Sequence, residues 1–192
     1  GLAENGIYSV SYKIPTIITT VQNIFIQAWV ISAIKEYESP TRNIFYKETF
    51  IKLNFLMVSC CTVLITGTKF VAKILFAKDF FDAWQYAPFL LVSVVFGASS
   101  GFIGPILSAK KDSKTQAKST LYGAIANLVL NIILVYFIGA QGAAIATALS
   151  NIIIYLVRRK AIGNMLYGKY YKKVIFSWLL LMLQATMMIL DL

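Results

Sequence analysis

The sequence predicts an all-α fold, a polytopic transmembrane helical bundle of about six spans. Three observations carry that prediction. The 192 residues are 58% hydrophobic and 14% charged, whereas a soluble domain is about 45–50% apolar and about 25% charged. The mean hydropathy is +0.71, and the apolar residues gather in runs of bilayer-crossing length, not in one large buried core. The basic residues fall in alternate connectors, as membrane topology favours.

Charges and helix breakers bound the spans at about 7–34, 50–68, 86–108, 117–137, 140–157 and 174–190, near the roughly 17–25 residues that a bilayer needs. The connectors are then 35–49, 69–85, 109–116, a tight turn around Gly139–Gln141, and 158–173. No separate soluble domain fits, so residues 1–192 are read as one transmembrane bundle. The absence of an initiating Met, the opening in a loop and the stop at Asp191-Leu192 suggest a piece of a longer chain.

The first span contains GIYSVSYKIPTIITTVQNIFIQAW, residues 6–29. At about 100° per residue, Tyr8, Tyr12, Pro15, Thr19, Gln22 and Asn23 share an arc of roughly 100°. Ser9, Lys13, Thr16, Thr20 and Gln27 widen it on one side, and isoleucines and other apolar residues fill the rest. Polar groups at membrane depth are costly unless they face a cavity or another helix. Lys13, Tyr12, Gln22, Asn23 and Gln27 are therefore candidates for a substrate path. Two fates are open to Lys13. It can face a cavity, or, about six residues and roughly 9 Å from the outer end, it can snorkel to the interface. Pro15 removes a backbone hydrogen bond and permits a bend near that lysine.

The second span carries Lys52 and the adjacent Cys60 and Cys61, which read as small buried apolar residues. The third contains GASSGFIGP, residues 97–105. Ser93, Gly97 and Gly101, and again Ser100, Gly104 and Ser108, have the small-xxx-small spacing that lets two backbones approach closely. Gly97, Gly101, Gly104 and Pro105 are accordingly candidates for tight packing or for a hinge. In the fourth span, Gln116, Thr120, Gly123, Asn127 and Asn131 recur at three- and four-residue steps. Asn127 and Asn131 share a face and need partners, either a neighbouring helix or a wet substrate path. The fifth span opens on GAAIATALSN, a small-residue contact face with an uncertain start; the last is generically hydrophobic.

Six alternating spans put connectors one, three and five on one side. That side collects Lys35, Arg42, Lys47, Lys110, Lys111, Lys114, Lys118, Arg158, Arg159, Lys160, Lys169, Lys172 and Lys173. The other side has Lys69, Lys73 and Lys78, diluted by Asp79 and Asp82. The positive-inside rule assigns the cation-rich side to the cytoplasm and the N-terminus to the outside. Topology alone accounts for the net charge of +10, and nucleic-acid binding has no need to be invoked.

The chain has no His, so histidine metal sites and histidine catalysis are excluded. No carboxylate lies mid-span, and no catalytic triad, Cys/His pair or P-loop is visible. Glu36, Glu38 and Glu48 read as solvated. The sequence points away from an enzyme and calls for no metal or cofactor.

Two stretches then carry a resemblance. ENGIYSVSYKIPTIITTVQNIFIQAWVISAIKEYE has a G-x-Y-S-x-x-Y-K start and a Q-A-W step at the end of a long helix. AKSTLYGAIANLVLNIILVYFIGAQGAAIATALSNIIIYLVRR holds a G-x-x-G-A-A-x-A-T turn. Across roughly residues 3–160 the chain resembles the polysaccharide (O-antigen-type) flippases of the multidrug/oligosaccharidyl-lipid/polysaccharide (MATE-like) exporter superfamily. The second motif is shared with that superfamily's drug/toxin antiporters and lipid II flippases. The resemblance implies two bundles around a central cavity, of which this chain is most of the C-terminal one. It also implies translocation of undecaprenyl-diphosphate-linked oligosaccharide units across the bacterial inner (cytoplasmic) membrane for surface polysaccharide biosynthesis. The implied partners are the lipid-linked oligosaccharide, membrane lipid, an N-terminal bundle of the same chain and polysaccharide polymerase machinery. A diphosphate with sugars is anionic and hydroxyl-rich, so its cavity wants cations and amides. Lys13 and the amides of the first and fourth spans supply them.

Three other functions stay open. A drug/toxin or other small-molecule antiporter of the same superfamily would be favoured by a carboxylate in the cavity of the other bundle and opposed by a cationic cavity. A membrane enzyme acting on lipid-linked sugars would usually show a large outer loop with catalytic His, Arg or Asp. A purely structural membrane subunit would need neither.

Overall fold

The computed structural model describes residues 2–76, 78–166, 168 and 170–190. Among them are eight α-helices: α1 (Leu2–Ser11), α2 (Lys13–Glu36), α3 (Arg42–Thr66), α4 (Thr68–Leu75), α5 (Ala87–Ala109), α6 (Ser113–Ile138), α7 (Ala140–Ala161) and α8 (Tyr171–Ile189). Short 3-10 segments follow α4 at Lys78–Gln85 and α7 at Gly163–Leu166. Six stretches are long and apolar enough to cross a membrane: Glu4–Glu36, Arg42–Thr66, Ala87–Ala109, Ser113–Ile138, Ala140–Ala161 and Tyr171–Ile189. The architecture is an all-helical bundle of multi-pass membrane type.

Local chemistry explains the boundaries. Pro15 has no N–H to give to the carbonyl one turn earlier, and the helix breaks at Tyr12, between α1 and α2. The turn is repaired by Thr16, whose backbone N and hydroxyl reach Tyr12 O at 3.0 Å and 2.6 Å. Pro88 sits in the first turn of α5, where a missing N–H is harmless. Asp112 caps α6, accepting from Thr115 N at 3.1 Å and Thr115 Oγ1 at 2.8 Å. Gly139, at φ 59° and ψ −147°, joins α6 to α7 in a conformation that only glycine adopts readily.

Two stretches differ from the sequence expectation. Helix α3 begins at Arg42, well before the expected span, and Lys52 pairs with Glu48 at 4.0 Å on an exposed surface. The connector at 69–85 holds α4 and a 3-10 segment. Neither approaches the length at which a hydropathy window detects a span.

The middle of the bundle is α5, whose apolar window is 89% buried; that of α6 is only 6% buried. Helix α5 packs against α2, α3, α7 and α8, while α6 lies outermost and pairs with α7. Trp29 on α2 stacks on Phe102 at 4.1 Å between centroids and donates its ring N–H to Phe102 O at 2.8 Å. Tyr46 donates to Ala33 O at 2.6 Å and joins α3 to α2. Cys61 is buried, Cys60 half-buried, and both are free thiols.

Connectors one, three and five share one end of the bundle. Lys110 Nζ donates to Ala161 O at 2.9 Å, and the Lys47 side chain runs beside Gly168. Lys169, counted with these cations, lies outside the described residues. At the opposite end Glu4 Oε1 accepts from Ala140 N at 3.2 Å, where a helix N-terminus favours negative charge.

Candidate functional site

Along α5, Ser93, Gly97, Gly101, Gly104 and Ser108 recur at helical steps and form one face, about 22 Å long at 1.5 Å per residue. Polar groups from three helices converge on it. Asn151 on α7 donates to Ser93 O at 3.2 Å. A Cβ built on Gly97 would lie 3.9 Å from Asn151 Nδ2, and one on Gly101 3.7 Å from Gln22 Nε2. One on Gly104 would lie 3.5 Å from Gln116 Nε2 and 3.6 Å from Arg158 Nη1. Ser108 donates to Gln116 Oε1 at 3.3 Å. A Cβ at any of these three glycines would meet its neighbours at ordinary van der Waals distance, whereas a larger side chain there would displace the amides and the guanidinium.

Two cavities lie along this seam. One of about 190 Å³ is lined by Tyr12, Pro15, Thr16, Thr19 and Gln22 of the first span, Leu90, Ser93, Val94 and Gly97 of α5, and Asn151 of α7. The other, more open and about 640 Å³, is lined by Ser113, Gln116, Ala117, Thr120, Leu121 and Ala124 of α6 and by Arg158 of α7. Neither lining holds a carboxylate. Gln22 Oε1 is buried with no hydrogen-bond partner, which in an apolar setting is costly unless a ligand or water completes it. The first cavity is far larger than the roughly 10–15 Å³ that one water requires.

Arg158 closes the cation-rich end of the seam. Its Nε donates to Ser119 Oγ at 2.9 Å, Nη1 to Ser100 O at 3.0 Å and Nη2 to Thr120 Oγ1 at 3.2 Å. All three acceptors are neutral, so the positive charge projects into the second cavity uncancelled by these partners.

The residues singled out from sequence divide into groups. Tyr12, Gln22 and Gly97 line the first cavity. Gly101 and Gly104 form the seam between the two. Lys13, Asn23 and Gln27 are exposed and line neither cavity. Lys13 stands at the edge of the polar stripe, beside exposed Ile17, Ile24 and Ile31. Asn127 donates to Ser150 Oγ at 3.3 Å and ties α6 to α7, while Asn131 donates to Asn127 O at 2.8 Å. Neither asparagine lines a cavity. Pro105 is buried within the unbroken α5.

Sequence reasoning passed over Asn151 and Arg158. The signal was present, because positions 151 and 158 lie within about 20° of each other on the helix. Arg158 was absorbed into a run of three cations and read as topology alone. Only Arg159 and Lys160 leave the seam: Arg159 donates to Tyr171 OH at 3.2 Å and to Gly163 O, and Lys160 is exposed. No family model, curated protein or solved structure matches this chain.

Proposed function

We propose that this bundle is part of a flippase that moves lipid-linked oligosaccharide units, undecaprenyl-diphosphate carriers, across a bacterial inner membrane. The reading rests on one observation above all. A glycine-bearing face of a membrane-spanning helix runs beside two carboxylate-free cavities with largely apolar walls, one holding amides and hydroxyls in its lining, the other a guanidinium. Sugar hydroxyls match side chains that both donate and accept, and a diphosphate matches an arginine without a competing carboxylate. The carrier's apolar tail would stay in the bilayer against the exposed Leu121, Ile125, Leu128 and Ile132 of α6. The two motifs that resemble polysaccharide flippases, quoted above, support the same reading.

On this proposal the end carrying Lys110 and Arg158 is cytoplasmic and the N-terminal end is outside, as the positive-inside rule prefers. The polar edge of α2 and the flank of α6 would face a second bundle of a longer chain across a shared cavity, and polymerase machinery would receive the product. A small-molecule antiporter is the competing reading.

Full-length protein carrying Arg158→Gln or Gln22→Leu should complement a flippase-null strain poorly at unchanged membrane abundance. Surface polysaccharide at the unaltered level in both variants would overturn the assignment. Loss of drug resistance with polysaccharide intact would favour the antiporter.

A further inference from the structure

We infer that α4 is an interfacial anchor, seated in the headgroup–acyl boundary of the bilayer at the bundle end opposite the cation-rich connectors. Its sequence, TKFVAKIL, splits into sectors at about 100° per residue. Thr68 and Ala72, both 0% exposed, face the protein. Phe70 and Ile74, at 69% and 68% exposure, point to the opposite side. Lys69 and Lys73 occupy one flank between these two faces, and Val71 and Leu75 occupy the other.

The apolar face continues an exposed apolar side of the preceding span. Val63, 69% exposed, lies two turns before Phe70 on nearly the same face, and Leu56, 50% exposed, two turns earlier still. Helix α3 alone is about 37 Å long at 1.5 Å per residue, against a hydrocarbon core of about 30 Å. Its C-terminal end and α4 therefore stand at the boundary, where apolar groups reach acyl chains and lysines reach phosphates. The cation flank sets the rotation of the helix about its axis. Lys69 is held there, its Nζ 4.5 Å from the Trp84 ring centroid in the following 3-10 segment. The occupant of this face is thus lipid: acyl chains on Phe70 and Ile74, and headgroup phosphates near the lysine flank. The inference does not depend on what the bundle transports.

The test uses full-length protein in anionic-lipid nanodiscs, with Cys60 and Cys61 changed to Ala and single spin labels at Phe70→Cys, Ile74→Cys, Lys73→Cys and Asp79→Cys. Labels at 70 and 74 should collide readily with oxygen and at least several-fold less with a water-soluble nickel chelate than the label at 79. The label at 73 should fall between. Nickel collision at 70 and 74 equal to that at 79 would overturn the inference, placing the face in water. Immobilised spectra with low collision by both reagents would overturn it too, placing a protein segment over the face.

Discussion

The two faces of α5 both carry buried polar groups, and they settle them in opposite ways. Toward α3 and α8, Asn54 Oδ1 accepts from Ser99 Oγ and from Trp178 Nε1, each at 3.0 Å, and its Nδ2 donates to Phe50 O at 2.9 Å. Aromatic rings seal that node, with Trp178 5.0 Å from Tyr155 and 4.9 Å from Phe96 between centroids. Toward α2, α6 and α7, the small residues of α5 leave space, Gln22 Oε1 stays unpaired, and Arg158 meets only neutral acceptors. An amide with every partner inside the protein holds helices together. An amide that borders a cavity with one partner missing has an acceptor that water or a ligand would satisfy. The same side-chain amide chemistry is thus satisfied within the protein on one face and left open beside a cavity on the other.

The sharpest way to break this contrast is at Asn54. Asn54→Leu leaves the Trp178 N–H buried without an acceptor and should lower stability by about 2–3 kcal/mol, read as an earlier thermal transition in detergent. An unchanged transition would mean that the sealed face is not held by its polar node.

Glycines extend the comparison. A Cβ on Gly101 would make ordinary contacts, the nearest 3.5 Å from Ile26 Cδ1, whereas one on Gly123 would collide with Ile154 Cγ1. Gly123→Ala should therefore cost about 1–3 kcal/mol through overpacking of α6 on α7. Gly101→Ala should leave stability unchanged or raise it by up to about 1 kcal/mol, because alanine is the better helix former and its Cβ meets no clash, while Gly101→Leu should fill the seam and, on the proposed function, stop export at normal abundance. Equal stability losses for the two alanine variants would remove the distinction between packing and seam glycines.

Lys13 probes the outer rim of the open face. Because the side chain is exposed, Lys13→Ala should shift stability by no more than about 0.5 kcal/mol. On the proposed function it should lower export less than Arg158→Gln does, with Lys13→Arg retaining more. Full complementation by Lys13→Ala would make this lysine an interfacial anchor and leave the seam to its amides and Arg158.

The smallest effect is outside both faces. The Thr115 hydroxyl and N–H hold the Asp112 carboxyl below its ordinary range. A lowered folded pKa means that the cap's contribution is complete above the unfolded value of about 3.9 and is lost as pH falls through the folded value. Hydrogen exchange in the first turn of α6 should depend on this ionisation only below about pH 4, and Asp112→Asn should flatten that dependence while keeping a capping acceptor. A step near neutral pH would point to another group.

By itself the sequence determined the features that are local along the chain. Six spans, the break near Pro15, the turn at Gly139 and the placing of cations at one end follow from hydropathy, missing N–H groups and charge. Each can be read along the chain without knowing which helices meet. Tyr12, Gln22 and Gly97 were legible for the same reason, since helical period shows which residues share a face. Period does not show which helix that face meets. Only the tertiary structure decided that Asn127 ties α6 to α7 while Asn151 lines a cavity, that Arg158 turns inward while Lys160 stays exposed, and that Asn54 closes a node with α8. Those outcomes depend on pairings between residues far apart in sequence, set by how the helices dock around α5, and no single-helix pattern contains them.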